Sequence, residues 1–298
     1  MKSILARLLQ RLAGPLADAM DRNGASARHS GVAQQALLEL WHQRQAHGEP
    51  AGDIAQFGFR QFSQNDEDGI LLYIFSALGM GERRAVEICA GDGIECNAAN
   101  LLINHQWHAL LVDGDPAHVA RGRAWYGRNP CTRAFPPVFV QAWVTVATID
   151  SLCENAGFRG EVDLLSIDLD GMDYWIWKAL TVIEPRVVVV EFQDIIGPEK
   201  SITVPYAPDF NSAAHSMTDR MPNYAGASLR AFQKLGAQKG YRLVGVNELG
   251  FNAFFVKRGL GEHVLPEVSV ESCFSRRKQA EGMTTRWPLV SHLPWEEV

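Results

Sequence analysis

The sequence is poor in cysteine: five in 298 residues, at positions 89, 96, 131, 153 and 273, with no C-x-x-C pair. Such spacing predicts neither a disulfide framework nor a zinc site, and a reducing cytoplasm is the default compartment. No apolar run approaches the roughly 20 residues that a membrane-spanning helix needs. There is no basic surplus either: 28 Lys and Arg stand against 34 Asp and Glu, a formal charge of −6. That balance argues against a broad nucleic-acid footprint, so nucleic acid is not an expected partner. The G-x-G-x-x-G fingerprint of dinucleotide binding is also missing. What remains is an ordinary globular composition, 47% hydrophobic and 21% charged. The length suits one large domain with additions, or two small ones.

The run VEICAGDGIECNAANLL, Val86 to Leu102, organises the rest. An apolar stretch passes Glu87, enters a turn with Gly91 and Gly93, and leaves as an apolar-periodic segment. This is a strand, a tight loop and a helix. The glycines let the backbone approach a ligand closely, and the new helix offers unpaired N–H groups and the positive end of its dipole. A second strand-like run, HALLVDGDP, ends in Asp113, 26 residues after Glu87. An acid at the tip of the neighbouring strand is placed to accept hydrogen bonds from ribose hydroxyls. The pattern predicts a nucleoside-cofactor site.

Three regions follow from the composition: a helical extension over 1–52, a main domain over 53–259 and a tail over 260–298. Ile4, Leu5, Leu8, Leu9 and Leu12 form one stripe, with Lys2, Arg7 and Arg11 elsewhere. Arg7 and Arg11 interrupt any signal-peptide core. Residues 1–48 therefore suit a peripheral membrane contact, which would make the cytoplasmic protein membrane-associated, or packing on their own domain or a second subunit in a homo-oligomer. A second helix is expected around Val32 to Gln45, and GEPAGD at 48–53 reads as a linker.

In the main domain, Ser63 with Asp66 resembles a capping box, followed by the stripe Ile70, Leu71, Ile74, Phe75 and Leu78. Helix PAHVARGRAWYG comes next, then a third strand over Val138 to Ala142 and a short helix capped by Thr148. Val162 to Asp168 is the fourth strand, YWIWKAL a helix, and Arg186 to Phe192 the fifth strand. Alternating strands and helices mean βαβ units and a parallel sheet. After helix SLRAFQKLGAQKGY, RLVGVN and FNAFFVKR are separated only by Glu248, Leu249 and Gly250, so they form an antiparallel hairpin. The fold class is thus α/β, a Rossmann-like seven-stranded sheet, mostly parallel with a terminal antiparallel hairpin, whose layout resembles the class I methyltransferase sheet, plus the N-terminal helical extension. A dinucleotide-binding domain would continue with a sixth parallel strand instead.

VEICAGDG with Asn97, then LLVDGDP, then LLSIDLDGMDYWIW resemble the FkbM-type group of class I S-adenosylmethionine (SAM) methyltransferases. That group carries an E-x-G-x-x-D-G loop, an acid-x-D-P turn after the second strand and an I-D-x-E/D-G motif after the fourth. SQNDEDGIL, Ser63 to Leu71, is similar to its S-Q-x-x-E-D segment. The resemblance covers about residues 60 to 256. The departures are Cys89, where the related loop E/D-x-G-x-G-x-G has its first glycine, and Asp170, where Glu is common.

The resemblance implies SAM-dependent O-methylation of a hydroxyl on a carbohydrate, a glycan or a similar hydroxylated small molecule. It assigns Glu87, Gly91, Asp92, Gly93 and Asn97 to the loop around the methionine part of SAM, Asp113 to the ribose, Trp143 to the adenine and Asp168 to the place where methyl group and acceptor meet. A hydroxyl is a poor nucleophile while protonated, so a base or a metal must assist. Carboxylates available at the tips of strands four and five are Asp168, Asp170, Asp173, Glu191 and Asp194. Asp168 and Glu191, with Gln193, form an oxygen set suited to Mg²⁺. The plainer reading has Asp168 capping the next helix and Glu191 paired with Arg or Lys. His215, in the long connection 197–224, is the other candidate base; such a connection is usually a lid or a binding loop. Two other readings stay open: a nucleotide-dependent oxidoreductase, and a non-catalytic protein of this fold that binds a glycan or a partner.

Overall fold

The computed structural model describes residues 24–47, 52–212, 223–275 and 277–298, with side chains from residue 30 in the first segment and from 279 in the last. The stripe at residues 4–12 and most of the 48–53 linker lie outside the described residues. Five strands run parallel: β1 Arg84–Ile88, β2 His108–Asp113, β3 Val138–Gln141, β4 Gly160–Ile167 and β5 Ile183–Glu191. β6 Ile202–Thr203 and β9 Glu296–Glu297 form a separate antiparallel ribbon. β7 Tyr241–Val246 and β8 Asn252–Lys257 are the expected hairpin, with β8 antiparallel to β5. The seven-stranded sheet has the order β3-β2-β1-β4-β5-β8-β7. This is the sheet of the class I methyltransferase fold.

The helices are α1 Gly24–Ala46, α2 Glu67–Leu78, α3 Ala99–His105, α4 Pro116–Tyr126, α5 Ile149–Asn155, α6 Asp173–Ala179, α7 Leu229–Gln238, α8 Arg277–Thr285 and α9 Trp287–Val290. Two apolar layers sandwich the sheet. Val188 and Val190 pack on one face with Trp177, Phe232 and Phe255. Val187 and Val189 pack on the other with Ile70, Phe75 and Phe254. Successive side chains of a strand point to opposite faces, so a strand covered on both sides must be apolar throughout. That is why β5 reads VVVV. Each valine so buried contributes about 1.5–3 kcal/mol of transfer free energy.

Two cap expectations fail for a local reason. Thr148 precedes α5 but its backbone is already helical, φ −111° and ψ −21°, and its hydroxyl makes no cap bond. An N-cap needs extended backbone to bring its oxygen over the N2 or N3 amide; the Thr148 hydroxyl instead accepts the Thr145 N–H at 3.0 Å. Asp66 precedes α2 without capping it. The reciprocal pair is Ser63 with Asp68: Ser63 Oγ accepts the Asp68 N–H at 3.2 Å, and Asp68 Oδ2 accepts the amides of Gln61, Phe62 and Ser63 at 2.6–2.9 Å.

The described segments that flank the sheet domain, α1 and the tail, pack on it. From α1, Trp41 is buried edge-on against Phe57 and Tyr73, with ring centroids 5.7 and 5.5 Å away. Gln34 exchanges hydrogen bonds with Asn100 at 3.0 Å in both directions and takes one from His105 at 2.7 Å. In the tail, Val264, Leu265, Val270, Cys273 and Val290 are buried, and β9 pairs with β6. Among the described residues no helix is long and apolar enough to cross a membrane. Because Trp41 fills the core it shares with α2, Trp41→Ala is expected to lower the unfolding free energy by about 3–5 kcal/mol, read from urea denaturation; a loss below 1 kcal/mol would mean that α1 is not part of the cooperative unit.

Candidate functional site

Parallel strands put their carboxyl ends on one edge of the sheet, and the polar groups cluster there. The loop leaving β1 turns through three left-handed residues, Cys89 at φ 64°, Gly91 at 58° and Gly93 at 70°. The two glycines serve different ends. A Cβ at Gly93 would lie 2.7 Å from Leu111 Cδ1 and 3.0 Å from Phe139 Cζ, whereas one at Gly91 would meet nothing within 4 Å. Gly93 is therefore needed for packing, and Gly91 leaves its space open. Cys89 pays the side-chain penalty of a conformation that glycine adopts freely.

Glu87 and Asn97 support this loop from inside the protein. The buried Glu87 carboxylate accepts the N–H groups of Asn97 at 2.8 Å and Ala98 at 2.7 Å. Burial raises its pKa while those amides oppose the rise. The Asn97 side chain donates to Ser166 Oγ at 3.0 Å. Both side chains thus spend these bonds inside the fold, shaping the loop. Asp92 accepts the Ile94 N–H at 3.0 Å and pairs with Arg121 at 2.7 Å. Asp113 ties the neighbouring strand to the loop. Its Oδ2 accepts the Gly91 N–H at 2.9 Å, and its Oδ1 accepts the Asp115 N–H at 2.9 Å, with His118 Nδ1 3.3 Å away. A carboxylate has about four acceptor positions, so Asp113 retains acceptor capacity.

A cleft of about 300 Å³ crosses these strand tips. Its floor runs from Ala142 and Trp143 beyond β3, past Asp113 and Gly114 after β2, to Cys89 after β1 and Leu169 and Asp170 after β4. The segment from Tyr206 to Ser212 forms another wall. Trp143 is 64% exposed, and its indole N–H donates to the Pro208 carbonyl at 2.7 Å. Phe210 packs so closely on Gly171 that a Cβ there would lie 2.3 Å from its ring. An adenosine-type cofactor fits this space: an open glycine loop, a carboxylate with acceptor capacity, and an apolar slot of Val144, Leu169 and Met172.

Next to the cleft, Asp168, Asp170 and Glu191 bring carboxylate oxygens within 4.8 Å of one another. The β4–β5 register, Ile167 opposite Val190, explains why. Asp168 and Glu191 are hydrogen-bonded to each other; burial first, then the charges of Asp173 and Asp170, raise the Asp168 pKa, and burial followed by the charges of Asp168, Asp173 and Asp170 raises that of Glu191. Two carboxylates in contact hold a proton or a cation between them. Glu191 makes no ion pair with Arg or Lys among the described residues. No side chain caps α6: Asp173, its first residue, accepts the Leu169 and Gly171 amides of the preceding turn at 2.8 and 3.1 Å, and burial pushes its pKa up to about 6. The Gln193 side chain donates to the Ala225 carbonyl at 3.4 Å and lines a second cavity of about 70 Å³ with Glu191, Phe251 and Arg286. Arg286 reaches it from the tail and grips the buried Asp194 at 3.0 and 3.1 Å. His215 lies outside the described residues.

The sequence placed Asp170 among the available carboxylates without grouping it with Asp168 and Glu191. The cleft wall at 206–212 lies in the connection 197–224, whose length marked it as a lid or binding loop, whereas the contribution of Arg286 carried no signal because it depends on where the tail folds back.

No protein-family model matches the chain, and no curated protein matches it. Solved structures similar to it include an O-methyltransferase from Bacillus cereus in complex with S-adenosylhomocysteine (SAH), at 15% identity over 74% of this chain and 91% of the other, TM-score 0.39. The magnesium protoporphyrin IX methyltransferase of Synechocystis with bound SAM is similar at 10% identity over 64% and 77%, TM-score 0.40. A glycopeptide N-methyltransferase complexed with sinefungin is similar at 11% identity over 59% and 81%, TM-score 0.37. The assignment of the fold stands on the strand order itself.

The left-handed backbone at residue 89 makes a direct prediction. Cys89→Gly is expected to raise the unfolding free energy by about 1 kcal/mol, the strain relieved less the entropy a glycine adds to the unfolded chain, whereas Cys89→Val is expected to lower it. Equal urea midpoints for the two variants would remove strain as the explanation.

Proposed function

We propose that the protein is a SAM-dependent O-methyltransferase, of the FkbM type, acting on a hydroxyl of a carbohydrate, a glycan or a similar hydroxylated metabolite. The observation that carries this reading is Asp113: it stands at the tip of β2, inside the cleft, bonded to the open Gly91 of the neighbouring loop. A cofactor with a ribose diol and an adenine is matched by that carboxylate and by the slot beside Trp143. Glu87, Asp92, Gly93 and Asn97 keep the loop in shape around the methionine end. Bound there, SAM supplies a methyl group already activated by its sulfonium. An oxidoreductase is disfavoured by the terminal hairpin. A non-catalytic role is disfavoured because Cys89 keeps the loop turn that glycine would make.

The protein's own contribution is positioning and proton handling. Asp168 accepts the proton that leaves the acceptor hydroxyl, and Glu191, sharing a proton with it, keeps Asp168 from being buried as a second full charge. His215 is the alternative base. A second reading rests on the grouping of three carboxylates. Mg²⁺ or Mn²⁺ held by Asp168 and Glu191, with Gln193 or Asp170 as a further ligand, would replace the shared proton and lower the pKa of a coordinated hydroxyl.

SAH is expected to raise the melting temperature, since a ligand at about a hundred times its Kd adds roughly 2.7 kcal/mol to the native state; NAD is expected to leave it unchanged. Stabilisation by NAD alone would overturn the class of chemistry. Asp113→Ala is expected to weaken SAH binding by about tenfold or more through the lost charge-assisted hydrogen bonds, measured calorimetrically on a variant whose circular dichroism is native. With an acceptor in hand, Asp168→Asn is expected to abolish turnover. Full activity in EDTA would exclude the metal, and full activity of Asp168→Asn would transfer the role of base to His215.

A further inference from the structure

The cleft is a row of strand tips, and the order β3-β2-β1-β4 dictates what stands where along it. Two carboxylates line it, Asp113 near the middle and Asp170 at the β4 end. An adenosine ligand whose ribose meets Asp113 and whose purine lies by Trp143 has its sulfur-bearing arm directed toward Cys89 and Asp170. Residue 170 is held there at a cost. Its φ is 49°, in the left-handed region that a non-glycine residue rarely occupies. The surroundings over-determine this turn. Asp173 takes the amides on either side of it, from Leu169 and Gly171. Phe210 lies against Gly171, leaving no room for a Cβ. Strain kept in place by so many neighbours, at the edge of a cavity, points to a functional demand on the side chain.

The charge at this end of the cleft has one sign. Among the described residues Asp170 has no ion-pair partner, and Asp168 with Glu191 lies within 4.8 Å of it. The Cys89 thiol opposite is pushed well up, by burial first and then by the charges of Asp113, Asp168, Asp170 and Asp173. A pocket end with two such carboxylates beside Asp170 and no cation paired with it among the described residues is suited to a positive charge.

Resting on the reading of the cleft as a SAM site, we propose that Asp170 is the residue that recognises the positive charge of the cofactor, favouring the sulfonium of SAM over the neutral thioether of SAH. The preference acts in both directions of the cycle: the charged cofactor is retained, and the product, having lost its charge, is released. The residue needs a carboxylate and a fixed turn, and the two neighbouring contacts on Gly171 supply the second.

The test compares two ligands on one protein. SAM and SAH are titrated calorimetrically into the wild type, Asp170→Asn and Asp170→Gly, in EDTA so that no ion screens the carboxylates. Glycine removes the charge and the strain together, so a folding defect in one variant does not close the question. Both variants are expected to lose about tenfold in SAM affinity, the equivalent of one ion pair, while SAH affinity stays within about threefold. Equal weakening of both ligands, or no change in either, overturns the proposal and leaves the SAM site standing. A wild type that binds neither ligand overturns both.

Discussion

The site depends on one constraint: parallel strands deliver their carboxyl ends to the same edge at the same height. The ladder pairs Ile88 with Val112 and with Ile167, and Ile167 with Val190. The next residue of each strand is therefore its last, as with Asp113 and Glu191, or the first beyond it, as with Cys89 and Asp168, at the sheet edge. Cys89, Asp113, Asp168 and Glu191 line up along one edge although just over a hundred positions of chain separate the first from the last. Polar groups collect there because the strands behind them are apolar on both faces and have no other place for a charge.

Different kinds of force act at the two ends of this edge. At the β1–β2 end, hydrogen bonds to backbone amides dominate. Glu87 holds the start of α3, Asp113 holds the glycine loop, and each satisfies donors that a turn would otherwise leave bare. At the β4–β5 end, burial and the crowding of carboxylates act together. Asp168, Asp170 and Glu191 face one another, and no described Lys or Arg intervenes. The first end keeps acceptor capacity on Asp113, and the second gathers three carboxylates with no described cation between them.

Helix α1 and the tail are integrated by packing and by polar contacts. Trp41 enters the core beside α2, and Gln34 completes a buried amide and imidazole network with Asn100 and His105. From the other end, Arg286 forms an ion pair with Asp194 just beyond β5, and the tail adds β9 to the ribbon of β6. The chain after the hairpin thus returns to the edge where the carboxylates lie, and part of the wall of the second cavity comes from it.

Periodicity alone determined the alternation of strands and helices, the closing hairpin and the acids at strand tips. These are local properties: side-chain period, turn length and the presence of a carboxylate after an apolar run are all written within a few residues. The neighbours of those acids were a tertiary decision. Strand order made β4 and β5 adjacent, so Asp168 met Glu191 instead of capping a helix, and the strained turn at Asp170 added a third carboxylate. Whether Ser63 found Asp66 or Asp68, and whether Thr148 reached a helix amide, depended on backbone angles of a few tens of degrees that no residue type specifies. The wall from Tyr206 to Ser212 and the return of Arg286 were decided by burial of remote apolar groups, Phe210 on Gly171 and Val290 in the core, which is a property of the assembled sheet.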